Sequence, residues 1–97
     1  MLITLIATLK AKPGKEQLLY EECANIVKLV RTNEPGCLMY EPHISVEDNK
    51  EIIFVEKYED QVAFDLHTTT TYFKAFAAKF DQLLAEPLHL KFLKELE

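Results

Sequence analysis

The amino-acid sequence predicts an α+β fold in which one sheet packs against helices. Apolar residues alternate with period two near the N-terminus, recur with the 3.6-residue period of a helix in the next segment, and alternate again in two central segments. With the patterns of the last third of the chain, the order is strand, helix, strand, strand, helix, strand. The 97 residues, 48% of them hydrophobic, suffice for one core, so we expect a single domain over residues 1–97.

The first strand and the first helix are predicted for residues 2–10 and 15–32. One face of the strand carries Ile3, Leu5, Ala7 and Leu9. Residues 12–15 (KPGK) interrupt the strand, because proline lacks the amide donor that a ladder needs. The apolar stripe of the helix consists of Leu19, Cys23, Ile26, Val27 and Val30. The helix ends at residues 34–36 (EPG), since proline cannot continue it.

A hairpin is predicted for residues 37–46 and 51–59, which are joined by a polar run. Pro42 removes one ladder donor from the first of these strands, which indicates a bulge or an edge position. The second strand is apolar on both faces, as is typical of a strand that is covered on both sides. We therefore expect the second strand at the centre of the sheet.

The last third of the chain is predicted to contain two helical segments and a strand. Asp60 is a good N-cap for a short first helix. Four consecutive threonines interrupt that helix, because β-branched residues lose rotamer freedom and threonine hydroxyls compete for backbone groups. We expect a kink there, with Thr69 or Thr70 capping a second helix that runs to about Leu84. A final strand is predicted over residues 88–96.

This order is the split βαβ arrangement of a ferredoxin-like βαββαβ fold, an antiparallel sheet with helices on one face. Several strands nevertheless carry apolar residues on both faces. The second face of the sheet would therefore expose Leu, Ile and Val to water in an isolated chain. We expect a second copy of the same sheet to cover it, which would make the protein a homodimer.

Composition excludes several classes of function. The formal net charge of -5, without a basic cluster, argues against nucleic acid or an anionic membrane as a partner. The chain shows no long apolar stretch and no leader pattern, so we expect a cytoplasmic location. The only two glycines, Gly14 and Gly36, are too few for a nucleotide-binding loop. The cysteines and histidines lack the short spacings of a metal motif, and we expect neither a metal nor a cofactor.

Four short segments carry a resemblance to a known family over nearly the whole chain. They are KPGK at 12–15, EPGCL at 34–38 followed by Tyr40, Glu56 with Tyr58 and Asp60, and Ala63-Phe64 followed by His67. In this order and at these spacings they resemble the antibiotic biosynthesis monooxygenase family of dimeric α/β barrels. Members of the family usually carry a tryptophan where this chain has Tyr58.

The resemblance implies a quinol-monooxygenase-like activity that uses no metal, flavin or haem. Enzymes of this type oxidise electron-rich phenols, quinols or anthrones, whose deprotonated form can pass an electron to dioxygen. The protein then needs only to bind and deprotonate its substrate. The implied partners are a small aromatic substrate, dioxygen and a second copy of the chain.

The candidate catalytic residues are His67 and Glu56, and the candidate substrate-binding residues are Tyr40, Tyr58, Tyr72 and Phe73. His67 would act as a base or, when protonated, stabilise a phenolate; alternatively, it only hydrogen-bonds the end of its helix. Burial of Glu56 in an apolar strand would raise its pKa toward the range of acid–base catalysis. Alternatively, Lys57 of a second copy or Arg31 pairs with it. The tyrosines and Phe73 also suit simple packing.

Two other functions fit the same resemblance. One is isomerisation of a phosphorylated autoinducer, which would need Lys28, Arg31 or Lys74 to reach the cavity and bind the phosphate. The other is a dimeric module that binds a ligand without catalysing a reaction.

Overall fold

The computed structural model describes all 97 residues and has the predicted order of strands and helices. The α+β class and the ferredoxin-like order are confirmed, with three short helices before the last strand. The elements are β1 (Ile3–Lys10), α1 (Glu16–Asn33), β2 (Cys37–Ile44), β3 (Glu51–Tyr58), α2 (Gln61–Thr69), α3 (Thr71–Ala77), α4 (Phe80–Leu83) and β4 (His89–Leu93).

The four strands form one antiparallel sheet in the order β2-β3-β1-β4. β3 has a neighbour on both sides, as its two-sided apolar pattern predicts. Pro42 lies in the edge strand β2, where one side of the strand needs no ladder donor. The irregularity of β2 falls between Cys37 and Met39 and not at Pro42.

One face of the sheet packs against the helices and forms the core. α1 buries the whole predicted apolar stripe against this face. No helix of the structure is long and apolar enough to cross a membrane. Burial of apolar surface stabilises a fold by roughly 25 cal/mol per Å², so this stripe holds α1 on the sheet. The buried residues of the two central strands are Leu5, Ala7, Leu9, Ile52, Phe54, Glu56 and Tyr58.

Two side-chain caps organise the chain after β3. Asp60 Oδ1 accepts a hydrogen bond of 2.8 Å from the amide of Ala63 at the start of α2. Thr70 ends α2, and its Oγ1 accepts a hydrogen bond of 3.2 Å from the amide of Phe73 at the start of α3. The predicted kink and the capping threonine are therefore present, and they place His67 in the last turn of α2.

The segment predicted as one helix is broken between α3 and α4. At the break the Lys79 amide bonds the Phe76 carbonyl, only three residues back, at 3.1 Å. The tighter turn redirects α4 toward the end of β1, where the Lys12 amide donates to the Leu83 carbonyl at 2.8 Å. A tertiary contact of this kind leaves no signal in the local sequence pattern.

The last strand is shorter than the predicted span 88–96. β4 has five residues, all of them exposed, and it pairs only with β1. Leu90 and Phe92 lie opposite Ala7 and Leu5 and so share the helix-packed face, yet they are 40% and 57% exposed. The helices cover this edge of the sheet only in part.

The second face of the sheet has no helix over it. Ile6 of β1 lies opposite Val55 of β3, and Thr8 lies opposite Ile53. All four side chains are only half-buried, although they belong to the two central strands. The apolar second face that the sequence predicts is therefore present in the single chain.

Gly36 lies where the start of β2 approaches α2, and we predict that a side chain there destabilises the fold. A Cβ atom at Gly36 would lie 2.8 Å from the Cβ of Ala63 and 3.0 Å from Glu59 Oε1. Because the Ala63 Cβ is fixed to the helix backbone, Gly36→Ala should lower the free energy of unfolding by about 1–3 kcal/mol. Urea denaturation measures the change.

A double variant tests the cause of this effect. Ala63→Gly alone should cost about 1 kcal/mol, as glycine does in a helix, but in combination with Gly36→Ala it should recover part of the loss. Gly14→Ala is the control for additivity: its φ of 85° makes it destabilising without any heavy atom within 4 Å of the added Cβ, so its effect should simply add to that of Ala63→Gly. Strictly additive effects of Gly36→Ala and Ala63→Gly would rule out the close approach as the cause.

Candidate active site

A cavity lies between the helix-packed face of the sheet and helices α2, α3 and α4. Of the 14 residues that line it, 11 are hydrophobic, and the polar ones are Glu56, His67 and Thr68. The central strands contribute Leu5, Ala7, Leu9 and Phe54, and the helices contribute the rings of Phe64, Phe73, Phe76 and Phe80. The arrangement is an apolar chamber with one imidazole and one carboxyl group in its wall.

The enclosed part of the cavity is small and opens toward β4. Its volume is about 30 Å³, roughly the space of one water molecule in the liquid. This volume is well below that of small-molecule sites, which measure roughly 300–1,000 Å³. Leu90 is the one lining residue that is classed as exposed, and it places the mouth at this edge of the sheet.

His67 is 2% exposed, and its two ring nitrogens have different surroundings. Nδ1 lies 3.1 Å from each carboxylate oxygen of Glu34. Nε2 makes no hydrogen bond to the protein. It is not fully buried, since Glu16 Oε1 is the only fully buried side-chain N or O atom that lacks a hydrogen-bond partner. Because Nδ1 is engaged by Glu34, Nε2 is the ring nitrogen left for a molecule in the cavity, which His67 lines. The neighbouring ring centroids lie at 4.9 Å (Phe73), 5.2 Å (Tyr40) and 5.5 Å (Tyr58).

Glu34 follows α1 directly and is 5% exposed. Its carboxylate lies within hydrogen-bond distance of His67 Nδ1 and accepts a hydrogen bond from the hydroxyl of Tyr72. The sequence predicts only that this residue ends the helix, and does not predict it as part of a site. A signal was available, because a carboxylate at the C-terminal end of a helix is electrostatically unfavourable and is expected only where another contact compensates.

Glu56 lies on β3 and is also 5% exposed. Its Oε1 accepts a hydrogen bond of 2.6 Å from the hydroxyl of Tyr58, which lies two residues further along the same face of the strand. Arg31, one of the partners considered for Glu56, instead donates to the backbone carbonyl of Tyr40 at 3.2 Å. Glu56 is thus held by one neutral donor and by no cation.

Burial shifts the pKa values of His67 and Glu56 in the directions that favour the neutral form of each group. Burial lowers the pKa of His67 below its ordinary value, although the Glu34 carboxylate offsets part of the effect. Burial raises the pKa of Glu56 to about 7, against the hydrogen bond from Tyr58 and with a contribution from the charge of Glu34. At neutral pH the imidazole is uncharged, and Glu56 exchanges a proton readily.

The structure brings together four of the six candidate residues in the cavity wall and places two behind it. Those that line the cavity are His67, Glu56, Tyr40 and Phe73. The hydroxyls of Tyr58 and Tyr72 are instead bound to Glu56 and Glu34. Burial also raises the pKa values of Tyr40 and Tyr58, so both stay protonated. No group of three or more His, Cys, Asp or Glu side chains is placed to hold a metal ion.

Comparison with known proteins identifies relatives along nearly the whole chain. A model of the family described as "Antibiotic biosynthesis monooxygenase" matches residues 2–79. The Bacillus subtilis protein named "Putative monooxygenase YcnE" is 32% identical over 87 residues, which cover 90% of each chain. The Synechocystis protein sll1783 is 30% identical over 95 residues, which are 98% of this chain but only 64% of that protein.

The fold is shared with solved structures. The structure of PA3566 from Pseudomonas aeruginosa superposes with a TM-score of 0.91 at 31% sequence identity, and the match covers 99% of this chain and 95% of that one. The four landmark segments of the sequence, the order of the sheet and the family match over residues 2–79 agree. The chain therefore belongs to the antibiotic biosynthesis monooxygenase family.

Proposed function

We propose that the protein is a cofactor-independent monooxygenase that oxidises a small, uncharged phenol, quinol or anthrone with dioxygen. The observation that carries this proposal is the apolar cavity whose wall holds a neutral imidazole, with Nε2 free, beside a carboxyl group whose pKa is about 7. An apolar chamber suits an aromatic ring, and the two groups can move protons at neutral pH.

His67 is the base in this proposal. Nε2 accepts the hydroxyl proton of the substrate, and the resulting electron-rich anion gives an electron to dioxygen. A carbon–oxygen bond then forms, and cleavage of the oxygen–oxygen bond places one oxygen atom in the product and the other in water. For a quinol, one dioxygen yields one hydroxylated quinone and one water. Glu56, which is partly protonated at neutral pH, supplies a proton to the departing oxygen.

The small enclosed volume implies that the cavity widens when a substrate binds. About 30 Å³ does not hold an aromatic ring, so side chains at the mouth have to move. Leu88, Phe64 and Phe80 are only half-buried, and Leu90 is exposed. We propose that the substrate enters between these side chains at the β4 edge and takes their place against the core.

The charges of the site favour this reaction over isomerisation of a phosphorylated substrate. A phosphate needs a cation, but none of Lys28, Arg31 and Lys74 lines the cavity. Arg31 is engaged with the Tyr40 carbonyl. The wall therefore offers a phosphate no positive charge, whereas a phenolate forms beside the imidazolium that has taken its proton. A non-catalytic ligand-binding module remains the alternative that the experiment below distinguishes.

We also propose that the active protein is a homodimer joined through the uncovered face of the sheet. The half-buried Ile6, Thr8, Ile53 and Val55 form the centre of this face. A two-fold related copy would remove them from water without opening the cavity, which lies on the opposite face. A cytoplasmic location fits this proposal, because Cys23 and Cys37 are free thiols.

Oxygen consumption tests the activity. Purified protein equilibrated under nitrogen with 1,4-naphthoquinol or anthrone should consume dioxygen in proportion to product when air is admitted. His67→Gln should reduce the rate by about 100-fold or more, because a positioned general base contributes at least that much. Asp65→Asn, at an exposed position on the same helix as His67, is the matched control and should keep the full rate. Tight binding of the quinol without oxygen uptake by the wild type would instead identify a ligand-binding module.

The pH dependence of stability tests the state of Glu56. Its folded pKa of about 7 lies above the ordinary value of 4.5, so the unfolded chain loses this proton first as the pH rises. The stabilisation is complete below the ordinary pKa and is lost as the pH rises through the folded pKa, by roughly 3 kcal/mol. Urea denaturation at about pH 5 and pH 8 should show this loss of stability in the wild type but not in Glu56→Gln.

Two controls accompany the measurement. His67 acts in the opposite sense, because its lowered pKa makes stability fall on acidification below its ordinary value, and this contribution is common to wild type and variant. Glu59→Gln, at an exposed position, should leave the pH dependence unchanged. Identical pH dependence of wild type and Glu56→Gln would show that Glu56 ionises normally in the folded protein.

Sedimentation tests the dimer. At micromolar concentration the wild type should have twice the mass of one chain, and Val55→Lys should be monomeric, because a charge would be buried between the two sheets. Val62→Lys is the matched control: Val62 lies on α2 and is 75% exposed. A wild-type monomer, or a Val55→Lys dimer, would contradict this interface.

A further inference from the structure

We propose that Glu34 is the positioning residue for His67, and that Tyr72 in turn sets how strongly Glu34 acts. The inference rests on the proposed function of His67 as a base, but it concerns two residues for which the family match and the sequence give no such role. In this proposal the Glu34 carboxylate determines which imidazole nitrogen carries the hydrogen and which one keeps the lone pair that can accept a proton.

The geometry determines the tautomer of the imidazole. Both oxygens of Glu34 lie 3.1 Å from Nδ1. An ionised carboxylate only accepts hydrogen bonds, so Nδ1 must carry the hydrogen. In the neutral ring the lone pair is then on Nε2, the nitrogen that makes no hydrogen bond to the protein, in a side chain that lines the cavity. The opposite tautomer would place two lone pairs against each other in a buried site.

Glu34 also stabilises the product of proton uptake. When Nε2 takes a proton from the substrate, the imidazole becomes a cation in a chamber of low polarity, where burial disfavours it. The buried carboxylate next to Nδ1 is the one anion in direct contact with the ring, and it balances this charge. Its position at the end of α1 is unfavourable for the helix, so helix stability does not explain its presence.

Tyr72 limits this effect. Its hydroxyl donates to Glu34 Oε2, so part of the negative charge is drawn away from His67. The position of Tyr72 follows from the Thr70 cap, since Tyr72 is the second residue of α3. The titratable groups around His67 from each neighbouring element are Glu34 at the end of α1, Tyr40 on β2, Glu56 and Tyr58 on β3, and Tyr72 on α3.

Nitrogen NMR of the three histidines tests the proposal without any substrate. In protein labelled with ¹⁵N-histidine, His67 is assigned as the signal that is kept in both His43→Gln and His89→Gln, since these two positions are exposed. Wild-type His67 should carry its hydrogen on Nδ1 and a lone pair on Nε2. Glu34→Gln should lower the pKa of His67 further, because the anion that favours the charged ring is lost. Tyr72→Phe should raise it and keep the Nδ1–H tautomer, because the full charge of Glu34 then acts on the ring.

These signs separate positioning from a loss of packing. If the substitutions only loosened the site, water would reach His67, and Glu34→Gln would raise its pKa toward the ordinary value. Tyr20→Phe and Glu22→Gln are the matched controls, since both remove side-chain contacts outside the cavity lining and should leave His67 unchanged. A wild-type Nε2–H tautomer, or a raised or unchanged pKa in Glu34→Gln, would overturn the proposal, and the tautomer needs no variant that might misfold.

Turnover distinguishes this inference from the proposed function. If quinol oxidation occurs, Glu34→Gln should reduce kcat by about 10- to 100-fold, as removal of the group that orients a functional histidine does in metal sites, with little change in KM. If the NMR results are as expected and no quinol or anthrone is oxidised, Glu34 still orients His67, but the oxygenase proposal fails. If oxidation occurs while the tautomer is the opposite one, the oxygenase proposal stands and the role of Glu34 fails.

Discussion

The buried carboxylate of Glu34 joins the end of α1 to α2 and α3, and the arrangement of the site depends on this contact. Taking a charged carboxylate out of water costs several kcal/mol unless other groups bind it. His67 and Tyr72 supply the two donors, from positions 33 and 38 residues further along the chain. The three residues therefore need one another, because removing either donor leaves a buried charge that is only partly compensated.

The two buried carboxyl groups of the site differ because their surroundings differ. Glu34 accepts hydrogen bonds from an imidazole and a phenol, whereas Glu56 has one phenol and otherwise an apolar chamber. Burial accordingly moves the pKa of Glu56 to about 7. A site with one carboxyl group held between two hydrogen-bond partners and a second one that exchanges its proton can accept and return protons within a single turnover.

The sequence predicts the parts of this fold that depend on local patterns. The apolar residues on both faces of β3 predict its central position, and Asp60 and Thr70 cap helices as their side chains suggest. Burial of Glu56 also follows from pattern, since it shares a strand face with Ile52 and Phe54. The predictions fail where distant segments decide the outcome, as at the break between α3 and α4 and at the short, exposed β4.

For the site, too, the sequence predicts the residues that local patterns indicate and not the contacts between distant segments. His67, Glu56, Tyr40 and Phe73 can be chosen from residue type and family landmarks, and all four line the cavity. The pairing of Glu34 with His67 cannot be derived from spacing, because it depends on how α1 and α2 meet over the sheet. The hydroxyls of Tyr58 and Tyr72 illustrate the same limit, since each is bound by a carboxylate and does not face the cavity.

The tight packing of Gly36 against Ala63 has a consequence for the imidazole. Ala63 and His67 are four residues apart and lie on the same side of α2, separated along the helix by about 6 Å, slightly more than one turn. Residues 34 and 36 contact these two positions, one through a carboxylate and the other through the absence of a side chain. Residues 34–36 thus contact both ends of one turn of α2. A methyl group at position 36 would push α2 outward and move the His67 ring away from Glu34. Residues 36 and 63 are therefore constrained to change together.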